Sequence, residues 1–86
     1  MWYYNFVTKR QKRLEKVRNN PKNVRFEELD QLLLEFGFKR RQPRSGSSHF
    51  IYIRGQLRLT IPMNRPHLRE VYVKSVVKLL DEIENE

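Results

Sequence analysis

The sequence predicts one α+β domain, and three observations carry that reading. Phe50-Ile51-Tyr52-Ile53 and Leu57-Arg58-Leu59-Thr60-Ile61 are strand-forming runs joined by a glycine turn at Arg54-Gly55-Gln56, the pattern of a β-hairpin. Apolar residues at helical spacing precede and follow that hairpin, over residues 26–36 and 73–83. A chain of 86 residues, 38% of them hydrophobic, fills a single small core.

Each element follows from local signals. Thr8 with Gln11 three residues on reads as a capping box, and it opens a short, strongly basic helix over 9–19 that Asn19-Asn20-Pro21 stops. Phe26, Leu29, Leu32, Leu33 and Phe36 form one helical stripe, Glu27, Glu28 and Asp30 favour the positive end of its dipole, and Gly37 ends it. Phe38 packs back on the helix end, residues 39–42 form a strand that Pro43 closes, and Arg44-Ser45-Gly46-Ser47-Ser48 reads as a loop. After the hairpin, closed by Pro62, Val73, Val76, Val77, Leu80 and Ile83 mark the last helix.

The order is a basic helix followed by α-β-β-β-α. Three antiparallel strands flanked by two helices bury their apolar sides together when both helices cover one face of the sheet and leave the other open. This is the layout of double-stranded-RNA-binding domains. If Leu57, Leu59 and Ile61 face the core together with Ile51 and Ile53, then Arg58, Thr60, Phe50 and Tyr52 share the open face.

Charge narrows the function. Eighteen Lys and Arg against ten Asp and Glu leave a net charge of +8, which favours phosphate-rich partners. The charge is blocked: residues 1–25 hold eight bases and one acid, 26–38 four acids and no base, 39–69 eight bases and no acid, and 70–86 two bases and five acids. A molecule with one cationic and one anionic surface is expected. With no cysteine there is no disulfide framework, thiol nucleophile or thiolate zinc site, and a reducing, cytoplasmic setting is expected. No apolar run approaches a membrane span, and the aromatic start lacks the order of a signal peptide, so no membrane partner is expected. The acids at the helix ends read as dipole partners and a polar tail, so no metal and no other cofactor is expected.

Among chemistry-bearing residues, His49 leads. It stands where the glycine/serine loop meets a strand, so that a rigid element holds the imidazole while the loop admits a ligand. An imidazole near pKa 6.5 can take a proton from a ribose 2′-hydroxyl or give one to a leaving 5′-oxygen. Alternation puts His49 on the side of Ile51 and Ile53, so a core role for those two demands an edge or bulge at His49. His67, after Pro66, reads as a solvated turn residue. A phosphorane needs cations, and Arg40, Arg41, Arg44 and Arg58 are the plausible set, with bases stacking on Phe50 and Tyr52.

Gly46-Ser47-Ser48-His49-Phe50-Ile51-Tyr52, preceded by Glu35-Phe36-Gly37-Phe38 and followed by Leu59-Thr60-Ile61-Pro62, resembles the HicA toxins of bacterial HicA–HicB toxin–antitoxin pairs. The likeness spans residues 24–84. It implies a double-stranded-RNA-binding-like fold, cleavage of single-stranded messenger RNA by an endoribonuclease using His49, loop residues Gly46 and Ser48 beside the RNA, and silencing in a hetero-oligomer with a HicB-like antitoxin. Residues 1–22 then form a basic extension to a domain of residues 23–86, and Asn64 stands where members often place another histidine. The alternatives are a non-catalytic RNA-binding module of the same fold and a DNA-associated regulatory subunit that binds through its basic first helix.

Overall fold

The computed structural model describes residues 8–41 and 49–85. It is an α+β arrangement of three α-helices and a three-stranded antiparallel sheet. Helix α1 runs Lys9–Asn19, a 3₁₀ turn Pro21–Asn23 follows, and α2 runs Phe26–Glu35. Strands β1 (Lys39–Arg41), β2 (His49–Arg54) and β3 (Leu57–Pro62) pair in the order β1-β2-β3, and α3 spans Glu70–Glu84.

The termini of the helices form as their sequences direct. The Thr8 hydroxyl accepts from the Gln11 amide at 3.2 Å and the Gln11 side chain accepts from the Thr8 amide at 2.9 Å, which satisfies two amides that α1 leaves without partners. At the other end of α2, Gly37 takes φ +90°, a conformation that a Cβ would strain. That turn lets the Phe38 amide donate to the Leu33 carbonyl and the Gly37 amide to the Leu34 carbonyl, both at 3.0 Å. The reversal aims β1 back along the helix. The Leu68 amide donates to the Val24 carbonyl at 2.8 Å, tying the entry of α3 to the entry of α2.

One core joins all the layers. Leu14 and Val17 from α1, the α2 stripe, Phe50, Tyr52 and Ile61 from the sheet, and Val73, Val76, Val77 and Leu80 from α3 are buried in a single cluster. Two expectations are corrected here. Phe50 and Tyr52 lie on the buried side, and Ile51 and Ile53, both half-buried, lie on the other. The cause is the turn. Arg54 pairs with Leu57, so only Gly55 and Gln56 form the loop, and Gly55 at φ +58° begins it as a two-residue hairpin requires. Tyr52 then pairs with Leu59 and Phe50 with Ile61, while Ile51 pairs with Thr60 and Ile53 with Arg58. A three-residue turn would slip the register by one and exchange the faces.

The second correction concerns α1, which is not an appendage. Leu14 and Val17 keep 3% and 1% of their exposure, and the helix packs on both α2 and α3. Ion pairs surround that seam: Arg10 with Glu84 at 2.7 Å, Arg13 with Glu35 at 2.9 Å, Lys16 with Glu28 at 3.5 Å, and Arg18 with Asp81. The Arg10 guanidinium also lies 4.6 Å from the centroid of Phe36. Helix α1 thus shares one core with α2 and α3.

Candidate nucleic-acid interface

Directly paired residues of an antiparallel sheet project to the same side, so the register defines the open face. Arg41, Ile51 and Thr60 form one row across the three strands, and Lys39, Ile53 and Arg58 form the next. His49 opposite Pro62 makes the row at the other end. Lys39, Arg41, His49, Arg58 and Thr60 are exposed. His49 therefore reaches this face by plain alternation, and no bulge is needed.

The acids explain why the face stays positive. Among the described residues, Glu27 pairs with Arg65, Glu28 with Lys16, Asp30 with Arg40, Glu35 with Arg13, Glu70 with Lys74, Asp81 with Arg18 and Glu84 with Arg10. A backbone hydrogen bond, and after it the hydrogen bond from Arg65, holds the Glu27 carboxyl below its usual range, and the hydrogen bond from Lys74 does the same for Glu70. None of these acids is in a strand. Lys39, Arg41 and Arg58 carry no ion pair among the described residues, and no acid stands in their rows.

Two of the residues expected at an RNA site are used elsewhere. Tyr52 is fully buried, and its hydroxyl donates to Asp30 Oδ1 at 2.7 Å. Burial pushes the phenol well above its ordinary value, and the hydrogen bond to the Asp30 carboxylate adds to that. A ring so placed cannot stack on a base. Arg40 shares the register row of Tyr52, donates to Asp30 Oδ2 at 2.9 Å, and lies 6.0 Å from the Phe50 centroid. It fastens the sheet to α2 and is not on the open face. Arg41 and Arg58 are on it. Arg44, Gly46 and Ser48 lie outside the described residues. His67 is half-buried in the segment before α3.

The α1 cations are also redirected. Four of the six on that helix meet carboxylates of α2 and α3, so the helix expected to hold phosphates is largely neutralised in place. Sequence reasoning missed Lys39, which joins the face by standing two residues before Arg41 on β1. Alternation along β1 was the signal that would have found it, since residues 39 and 41 share a face.

No group of three or more metal-ligating side chains that could hold an ion occurs among the described residues, and no helix among them is long and apolar enough to cross a membrane. Compared with known protein families, with curated sequences and with solved structures, the chain matches none of them. The chemistry of the open face therefore rests on its own residues: three cations able to hold phosphates and one imidazole able to move a proton beside them.

Proposed function

We propose that this chain is an endoribonuclease toxin of the HicA type, with a double-stranded-RNA-binding-like fold, that cleaves messenger RNA in the cytoplasm and is silenced by a HicB-like antitoxin. The observation that carries the proposal is the exposed His49 at the end of an acid-free sheet face bearing Arg41, Lys39 and Arg58. The cations hold the backbone. His49 accepts the proton of a ribose 2′-hydroxyl as its oxygen bonds to phosphorus, and the bond from phosphorus to the 5′-oxygen breaks as that oxygen takes a proton from the imidazolium or from water. Arg41, nearest of the three along the sheet, meets the charge gathered on the phosphorane. The same positive face suits an acidic antitoxin, which would silence the toxin by covering it.

The test is incubation of the purified protein with a transcript in EDTA, paired with induced expression in growing cells. Cleavage and growth arrest are expected, both lost in His49→Ala and both relieved by an acidic protein encoded next to this one. Tight RNA binding with an intact transcript replaces the enzyme with the RNA-binding module. Absence of RNA binding sinks both readings.

A further inference from the structure

The residues between the cations say what kind of contact the face can make. Ile51 and Ile53 form its centre, with Arg41 and Lys39 on the β1 side and Thr60 and Arg58 on the β3 side. With strands about 4.8 Å apart, the two flanks stand about 10 Å from each other. Sequence-tolerant binding of splayed strands relies on aromatic rings as stacking platforms, and base-edge readout relies chiefly on bidentate Arg, Asn, Gln, Asp or Glu. Phe26, Phe36, Phe38, Phe50 and Tyr52 are all in the core, and Tyr72 is on α3. Among the described residues the open-face rows hold no Phe, Tyr or Trp ring and no amide or carboxylate side chain; the His49 imidazole stands at one end opposite Pro62, and Arg41 and Arg58 stand on opposite flanks of the isoleucines.

We infer that this face grips RNA by its sugar–phosphate backbone and is indifferent to the bases, with the aliphatic ridge of Ile51 and Ile53 against ribose and the flanking cations on phosphates. The inference rests on the proposed RNA-binding role of the face and specifies its substrate class. Cleavage sites are then set by where the backbone is accessible and pliable, and not by a base motif.

The experiment measures the affinity of the full chain for two 2′-O-methyl RNA 12-mers, which offer no attacking 2′-hydroxyl. One carries all its bases and the other is abasic through its centre. The expected result is dissociation constants within about threefold of each other, both weakened by Arg41→Ala combined with Arg58→Ala. A second variant, Ile51→Tyr, places a ring on the ridge and is expected to create a preference for the oligomer with bases, since a stacked base contributes roughly fivefold or more. Binding that falls tenfold on base removal, yet still depends on Arg41 and Arg58, overturns this inference and leaves the RNA-binding role standing. Affinity that ignores Arg41 and Arg58 moves the site off this face and overturns the inference. Failure of both oligomers to bind overturns it together with the function beneath it.

Discussion

His49 and Ile51 are two residues apart on β2, so the row holding Arg41 lies about 7 Å from the imidazole and the row holding Arg58 about twice that. On the proposed reaction the two arginines do different work. Arg41→Ala is expected to lower kcat by about a hundredfold, the low end for loss of one charge-stabilising donor, whereas Arg58→Ala raises KM with kcat nearly kept. Steady-state cleavage of a short RNA separates them, and matching profiles for both variants would refute the assignment. Tyr52 makes a prediction about stability. Tyr52→Phe removes a hydrogen bond to a carboxylate, a cost of about 1.5–3 kcal/mol. Because the folded phenol titrates well above 10.0 while the unfolded one titrates near it, the unfolded chain alone loses this proton first as pH rises. The stability this group adds is complete below pH 10 and erodes above it. Denaturant unfolding of the two proteins at pH 8 and pH 10.5 should show their difference shrinking at the higher value.

At the scale of elements, α1 decides whether the domain holds together. Its exposed surface is basic, but its inner edge inserts Leu14 and Val17 between α2 and α3, and burying each such side chain contributes about 1.5–3 kcal/mol. The surrounding ion pairs are partly exposed and add at most about 1 kcal/mol each. Packing, not charge, therefore docks the helix. Leu14→Ala is expected to cost about 2–5 kcal/mol, and Arg10→Ala no more than about 1 kcal/mol, by chemical denaturation. Deleting residues 1–20 bares the apolar faces of α2 and α3 and is expected to give aggregation or loss of cooperative unfolding. A truncated chain with an unchanged midpoint would show that α1 contributes nothing.

For the molecule as a whole, what matters is where its charge of +8 is left unneutralised. Carboxylates of α2 and α3 pair with four of the six cations of α1, while the sheet's open face keeps its own among the described residues. RNA affinity should therefore depend on salt through the sheet. Removing both Arg41 and Arg58 lowers the slope of log K against log salt by about 1.4, at about 0.7 per phosphate on a single strand. Replacing Lys9 and Lys12 by Gln leaves that slope unchanged. Titrations at several salt concentrations check both, and a slope that follows Lys9 and Lys12 would shift the interface to α1.

Much of this protein was legible before any coordinates, because its signals are local. The box of Thr8 and Gln11, the helical stripe ending at Gly37, the hairpin around Gly55 and the valine stripe of the last helix each act within a few residues, and each element formed where they predict it. What needed the tertiary structure is non-local. Alternation divides β2 into two faces but does not say which is inside; a one-residue difference in turn length decided that, and it moved Phe50 and Tyr52 inward and Ile51, Ile53 and His49 outward. Two apolar residues on a basic helix give no sign of docking, since the surface that buries Leu14 and Val17 exists only once α2 and α3 are side by side. The partner of a charge is likewise invisible in one dimension: Arg40 and Arg41 are neighbours in sequence, yet the pleat turns one to Asp30 and the other to the open face.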